Sequence, residues 1–302
     1  MLRIAVILNG ISLEKKHFLR HVFPAISEHA RVEVFETRSK NDAVKLASKA
    51  VDKRFDVILA AGGDGTVHQV VNGMLQERET HTNLPVFAVF PVGTGNDFAR
   101  SFHIVSHADQ LIFLLRNFNP RTIDVGEVDF TTDSGRGKSY FINVADIGMG
   151  PEVVSKLNNS GRPLGSAAAY YMAILATFAT YKTKDITATT PDWIWKGKIR
   201  SLAIANGKFY GHGLCIAPDA KPDDQIFDAF ICGDISVLDF IRYSNELKKG
   251  RKVDLPEVSY RKASSIEFTS TAKCAIEADG EWLGWLPAKV TLSSVRLKIL
   301  AP

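Results

Sequence analysis

The chain has 302 residues, of which 45% are apolar and 23% charged. These ordinary proportions exclude collagen-like, extensively disordered and coiled-coil architectures, and the length suits two domains better than one. The net charge is only +4, and its basic residues are spread out apart from short clusters at Lys15-Lys16 and Lys248-Lys249-Arg251-Lys252. That diffuse charge, with no recognisable nucleic-acid module, argues against a nucleic-acid partner. The clusters read as solvated helix ends or as a weak attraction to an anionic membrane surface.

Residues 4–8 form the first apolar run, without the basic, long-apolar and small-residue succession of a secretory signal. Similar runs follow at 32–35, 57–61, 86–90 and 122–128. They read as strands buried on both faces of a parallel sheet. Helical stripes lie between them: Phe18, Leu19, Val22, Phe23 and Ile26, although Pro24 interrupts them; Val44, Ala47 and Val51; Val67, Val70, Val71, Met74 and Leu75; and Leu111, Ile112 and Leu115. Ser106 and Asp109 have capping-box spacing before the last. The alternation predicts a doubly wound α/β domain with ligand loops at the carboxyl ends of its strands.

Beyond about residue 126 short β runs take over, at 139–147, 186–189, 199–205, 226–232, 265–268, 273–277 and 289–299. Turn signals separate them at Trp195-Lys196-Gly197-Lys198, Asn206-Gly207, Pro218-Asp219 and Asp279-Gly280. This pattern predicts an antiparallel sandwich or barrel, interrupted by helices near 164–181 and 236–248. The uncharged segment 164–181 has the minimum length of a bilayer span, about 17–25 residues. It is rich in Ala and carries Gly165, Ser166, Thr177, Thr180 and three tyrosines, so it reads as a buried or surface-docked helix. Cys215, Cys232 and Cys274 are far apart and form no CxxC, as expected of buried thiols in a reducing compartment.

Two loops carry the chemistry. Gly62-Gly63-Asp64-Gly65-Thr66 follows the third apolar run, and Gly93-Thr94-Gly95-Asn96-Asp97 follows the fourth. Glycines let the backbone approach a phosphate closely, and the helix that follows offers free N–H groups to an anion. A carboxylate inside such a loop is reasonable when a cation or a proton transfer needs it, and Mg²⁺ is the usual cation of phosphotransfer sites. On adjacent parallel strands both loops emerge at one sheet edge, which places Asp64 and Asp97 around one site. Asp124 is a third candidate or a strand-end cap. Asp279 and Glu281, in Glu277-Ala278-Asp279-Gly280-Glu281-Trp282, sit in a hairpin with an Asp-Gly turn, or supply a general base for phosphoryl transfer to an alcohol.

These residues resemble the soluble bacterial lipid kinases of the diacylglycerol kinase catalytic-domain family, relatives of the sphingosine kinases. The matching segments are Ala60-Ala61-Gly62-Gly63-Asp64-Gly65-Thr66, Pro91-Val92-Gly93-Thr94-Gly95-Asn96-Asp97-Phe98-Ala99-Arg100, Ile123-Asp124-Val125-Gly126, Phe141-Ile142-Asn143 and Asp279-Gly280-Glu281. They stand in family order over nearly the whole chain. The resemblance implies an NAD kinase-like nucleotide domain (1–126, with 287–302 returning to it) and a C-terminal antiparallel β-sandwich acceptor domain (127–286), with the active site in the cleft between them. It implies ATP and Mg²⁺, and a lipid hydroxyl as acceptor at the membrane surface. Asp64 and Asp97 would organise the Mg²⁺–phosphate network with Asp124 in support, while Asn9, Ser12, Gly62, Gly63, Gly65, Thr66, Gly93, Thr94 and Asn96 would line the nucleotide. Glu281 is the first choice for the base and Asp64 the second, with Asp279 beside them. A structural Mg²⁺ in the second domain would involve Asp224 and Ile226, although Gln225 replaces the usual glycine of that loop. The first loop also departs from the family pattern: Asn9-Gly10-Ile11-Ser12-Leu13 keeps Asn9 and Ser12 but lacks the usual proline. The implied setting is cytoplasmic, peripheral at the inner membrane surface, with room for a homodimer.

Two other readings share parts of the pattern. NAD kinases carry a similar GGDGT loop, but the GTGND loop and the late DGE argue against one here. A nucleotide- or lipid-sensing module without turnover is suggested by the altered 9–13 loop and opposed by retention of every candidate carboxylate.

Overall fold

The computed structural model describes residues 1–76, 83–159 and 167–302. The chain divides into two compact units, 1–123 with 295–302, and 124–294.

In the first unit, strands β1 (Arg3–Leu8), β2 (Arg31–Glu36), β3 (Val57–Gly62), β4 (Val86–Pro91) and β5 (Arg121–Ile123) join a C-terminal strand, Leu297–Ile299, in one sheet. The spatial order is β2-β1-β3-β4, then the C-terminal strand, then β5. All neighbours are parallel except β5. Every residue of β3 and β4 is buried, as their unbroken apolar runs require of central strands covered on both faces. The helices are α1 (Lys15–His17), α2 (Phe23–Ser27), α3 (Asp42–Asp52), α4 (Asp64–Gln76), α5 (Asp97–Ser101) and α6 (Ala108–Asn117). Phe18, Val22 and Ile26 pack with Leu111, Leu114 and Leu115 against one face of the sheet. Pro24 does not end the first helical stretch. It occupies the first turn of α2, and the turn before it is π-helical, with Phe23 N–H reaching back to Phe18 O; the missing proline N–H is one that such a turn does not need. The expected capping box at Ser106 and Asp109 does not form. Gln110 ties that entrance instead, accepting from Val105 N–H at 2.8 Å and donating to His103 O at 3.1 Å.

The second unit is built on β6 (Gly126–Thr132), β7 (Gly135–Phe141), β8 (Val144–Gly148), β9 (Lys184–Thr189), β10 (Ile194–Ile199), β11 (Ser201–Ala205), β12 (Phe209–Tyr210), β13 (Leu214–Cys215), β14 (Phe227–Cys232), β15 (Val258–Ala263), β16 (Ser265–Ser270), β17 (Ala275–Ala278) and β18 (Glu281–Leu292). Apart from the small β12–β13 pair, they form one large antiparallel sheet, ordered β10-β9-β16-β18-β17-β8-β11-β14-β15, with β6 and β7 attached at β18. Its inner core gathers Phe141, Ile147, Leu202, Ile204, Phe227, Ile231, Ile266, Phe268 and Ile276. The opposite face of β8, β11 and β14 is covered by α7 (Met149–Asn159), α8 (Ala167–Thr180) and α9 (Val237–Lys248), through Met149, Val153, Ile174, Phe178, Phe240 and Leu247. The period-2 alternation therefore separates two cores along each strand.

Several expectations shift. The run 122–128 breaks at Asp124 into β5 and β6, which belong to different sheets. The return to the first unit begins at 295 rather than about 287, because β18 continues unbroken to Leu292. Residues 195–198 are strand, not turn: Lys196 and Lys198 point outward and the Trp195 ring lies over Gly197, where a Cβ would crowd it at 2.9 Å. The turn falls at 190–193, where the Thr190 hydroxyl accepts the N–H of Trp193 at 2.9 Å. Helix α7 and strand β15 had no sequence counterpart. No helix among the described residues is long and apolar enough to cross a membrane; the first part of the segment 164–181 lies outside the described residues. All three cysteines are buried free thiols.

Candidate active site

Both glycine-acid loops leave the carboxyl ends of neighbouring strands, since β3 and β4 pair in parallel from Val57↔Val86 to Gly62↔Pro91. The loops touch. An added Cβ on Gly63 would stand 3.1 Å from Gly93 Cα, and one on Gly93 would fall well under 3.0 Å from Gly63 Cα. Only glycine at both positions permits this approach. The second loop is braced from within: Asn96, at φ 54°, accepts Gly93 N–H at 3.1 Å and donates to Gly93 O at 2.8 Å. Asp64 opens α4 and accepts Phe98 N–H at 3.2 Å, tying the first loop to the start of α5. Asp97 is buried, with Arg100 Nε 4.0 Å away. The altered first loop lies on the same edge. Ser12 Oγ donates to Val92 O at 3.1 Å, Asn9 N–H to Ala61 O at 2.9 Å, and Asn9 Oδ1 accepts Ile11 N–H at 3.2 Å. Asn9, Ser12, Gly62, Gly63, Asp64, Gly93, Asn96 and Asp97 thus form one cluster of backbone and short side chains.

This set fits a nucleotide with its metal. The glycine cradle would admit phosphate oxygens at the N-terminus of a 13-residue helix. Asp64 and Asp97 are hard oxygen donors. Among the described residues no group of three His, Cys, Asp or Glu could hold a metal alone, so a Mg²⁺ here would need substrate phosphates beside one or two carboxylates.

In the second unit, Asp279 and Gly280 connect β17 to β18 as a two-residue turn, Ala278 pairing with Glu281. Their φ values of +50° and +83° are those of the hairpin turn that Asp-Gly favours. Asp279 is buried, and its carboxylate accepts the N–H groups of Ile142, Asn143 and Val144 at 3.0–3.1 Å. It anchors the Phe141-Ile142-Asn143 motif. Glu281 is half-buried, and among the described residues its carboxylate has no hydrogen bond or ion pair.

Asp124, also buried, accepts Gln225 N–H at 2.7 Å and donates its own N–H to Pro222 O at 2.6 Å. It organises the 222–225 loop. Gln225 takes the left-handed conformation, φ 60°, that a glycine would supply. Lys262 Nζ stands 3.7 Å from Asp224 and 3.4 Å from Asp228. An ammonium therefore compensates the loop where the resemblance implied Mg²⁺ at Asp224 and Ile226, and these residues do not fit a divalent ion. Burial raises the Asp228 carboxyl above its ordinary range, and the Lys262 charge opposes the rise.

Sequence reasoning left several buried polar residues without roles. Asn206 Nδ2 donates to the carbonyls of Asp124 and Ile142, both at 3.0 Å, and Asn143 Nδ2 to Phe209 O at 2.9 Å. Asp146 and Glu277 face one another across β8 and β17. Asn206 was hidden as half of a turn signal, and Asp146 within an apolar run.

Residues 3–128 match the diacylglycerol kinase catalytic domain, and residues 143–301 match the YegS C-terminal NAD kinase beta sandwich-like domain. The chain belongs to the diacylglycerol kinase catalytic-domain family. It is 28% identical over 286 residues to a diacylglycerol kinase of Bacillus subtilis (strain 168), covering 93% of this chain and 89% of the relative. A Staphylococcus aureus (strain bovine RF122 / ET3-1) diacylglycerol kinase is 27% identical over 268 residues, or 89% and 81% of the two chains. A solved structure of a diacylglycerol kinase from Bacillus anthracis str. Sterne superposes with a TM-score of 0.73 at 19% identity, over 99% of this chain and 97% of that one. Family membership makes the protein a phosphotransferase of the lipid kinase type, and the two matched domains correspond to the α/β and antiparallel β architectures described above.

Proposed function

We propose that this family member transfers the γ-phosphoryl group of ATP to a hydroxyl of a diacylglycerol-like or sphingoid-like lipid, with Mg²⁺. The contact between Gly63 and Gly93 carries the reading, because it gathers two glycine-acid loops at the edge of one parallel sheet. Held by Asp64 and Asp97 together with the phosphates, a Mg²⁺ would neutralise charge developing on the transferred group. The loop N–H groups and the start of α4 orient the phosphates. Asp64 and Asp97 hold the phosphate–metal network, and Asp64 stays fixed through Phe98 N–H. Glu281 takes the proton of the acceptor hydroxyl, with Asp64 the alternative base. Asp279 and Asp124 act through the backbone they anchor.

The acceptor's chain needs an apolar site, and the second unit has one between α7, α8 and α9, lined by Met149, Ile174, Phe178, Leu214, Phe240 and Leu247. Met172 on α8 and Leu238 on α9 are exposed apolar residues on the helices of this layer, which supports peripheral contact at the cytoplasmic membrane surface. A transfer assay with γ-labelled ATP and Mg²⁺ against a panel of lipids and NAD tests the function. A labelled lipid is the expected product. Labelled NADP, or no transfer to any lipid despite ATP binding, would refute it. Sedimentation with anionic vesicles at low and high salt tests the membrane contact, and no binding at either salt would count against it.

A further inference from the structure

The apolar cavity of the second unit has one acidic corner. The cavity measures about 90 Å³, enough for several water-sized groups. Asp146 is in its wall with Ser201, Gly150 and Tyr210. Ser201 Oγ donates to Asp146 Oδ1 at 2.7 Å, and the Tyr210 hydroxyl lies 3.5 Å from Oδ2. A side chain at position 150 would collide with both the Asp146 carboxylate and the Tyr210 hydroxyl, so glycine keeps this corner open.

Behind Asp146 stands Glu277. The two are register partners on adjacent antiparallel strands, on the helix-covered face, and both are completely buried. Directly opposed like charges destabilise a sheet, and a buried carboxylate ordinarily has a cation. No ion pair engages either acid among the described residues. Arg200, the cation on the cavity wall, is committed to Asp234 at 2.8 Å and to the carbonyls of Ile235, Phe178 and Tyr181. Glu277 Oε2 accepts Gly280 N–H at 2.7 Å, but Oε1 has no hydrogen-bond partner. Burial, and for Glu277 also the neighbouring Asp146, pushes both carboxyls upward, Asp146 to about 7. The corner therefore lacks one thing, a positively charged hydrogen-bond donor, and it lies in the wall of a cavity that is otherwise almost wholly apolar.

We propose that this corner receives the ammonium group of a long-chain amine, so that lipid acceptors carrying an amine are preferred to neutral ones. The inference rests on the cavity being the acceptor's chain site. The Glu277–Gly280 hydrogen bond places the corner next to the turn that carries Glu281, so an amine held there would sit beside the candidate base. The chain would fill the apolar walls, and the ammonium would supply the missing charge.

The test is calorimetric titration of the full chain, without nucleotide, with dodecylamine, dodecanol and dodecanoate, each below its aggregation limit. The amine is expected to bind at least tenfold more tightly than the alcohol, and dodecanoate most weakly. Asp146→Asn and Glu277→Gln should each reduce the amine's advantage at least fivefold and leave dodecanol within twofold, in proteins shown by thermal unfolding to be folded. Equal affinities in the unmodified protein, no binding of the amine, or an amine preference surviving both substitutions would overturn the proposal. The comparison in the unmodified protein needs no variant. Because binding is read without transfer, this inference and the lipid kinase reading can fail separately.

Discussion

Gly93→Ala is the most informative single perturbation, because its cost comes from one contact. Gly93 is outside the left-handed region, so alanine meets no backbone objection there. The added Cβ falls well under 3.0 Å from Gly63 Cα, 2.9 Å from Asn96 Oδ1 and 3.1 Å from Gly63 N. Two of these atoms are backbone and cannot rotate away, and carbon atoms rest at about 3.5–4.0 Å, so the two loops must separate by about 1 Å. Overpacking of this kind costs about 1–3 kcal/mol of stability, which β3 and β4, paired along their whole length, can absorb. A displacement of about 1 Å of positioning groups can lower turnover about 100-fold, equivalent to about 2.7 kcal/mol in the transition state. Steady-state transfer from γ-labelled ATP to a lipid should therefore fall about 100-fold in kcat/KM, while thermal unfolding remains cooperative. Turnover within threefold of the parent would refute the argument that contact between the loops sets the phosphate geometry.

Other expectations follow from the same structure. Asp64→Ala should abolish most transfer and leave the fold intact, and persistent turnover in a folded variant would remove Asp64 from the site. Asp279→Ala leaves three buried N–H groups without an acceptor, and should cost at least about 3 kcal/mol, read by denaturant unfolding; a loss below about 1 kcal/mol would contradict the anchoring role. Lys262→Met should cost about 1 kcal/mol, with Mg²⁺ raising Tm in the variant but not in the parent; a Mg²⁺ response in the parent would show that the 222–225 loop takes a metal after all. Because Asp146 is raised to about 7 in the folded state, the fold holds a proton that the unfolded chain releases near its ordinary carboxylate value. The Asp146 contribution to stability should fall as pH rises from about 4 to about 7 and level off above, while the raised Glu277 carboxyl adds a decline of its own. Asp146→Asn should flatten that decline and raise Tm at neutral pH; an unchanged pH profile would mean that Asp146 ionises normally.

Much of the geometry of the two glycine-acid loops was legible in the sequence, because each is built from a short contiguous stretch. Gly62-Gly63-Asp64-Gly65-Thr66 and Gly93-Thr94-Gly95-Asn96-Asp97 each combine a buried strand, a tight turn and a helix start within a few residues. The parallel pairing of β3 and β4 then follows from their apolar runs. Asp279-Gly280 was equally readable, since both residues of such a turn need positive φ and this dipeptide accepts it. Local pattern reached its limit at Trp195-Lys196-Gly197-Lys198, where a turn-like composition is held in a strand by pairing with β9. It also failed at Ser106 and Asp109, where the neighbouring Gln110 side chain ties the helix entrance instead.

Only the tertiary structure shows what the carboxylates touch. Sequence left Asp124 as a supporting acid or a strand-end cap and Asp279 as a turn residue or an acid beside the base; in the fold both accept backbone N–H groups, because the folded chain brings loops 100 or more residues away against them. Gln225 adopts the conformation a glycine would supply, and Lys262 stands beside the carboxylate of Asp224, a neighbourhood visible only once the 222–225 loop lies against β15. Asp146 and Glu277 are 131 residues apart in the chain and become neighbours only through the register of β8 and β17. A sequence records strand and turn chemistry because both depend on adjacent residues, whereas charge pairing across a sheet depends on a register that distant segments set together.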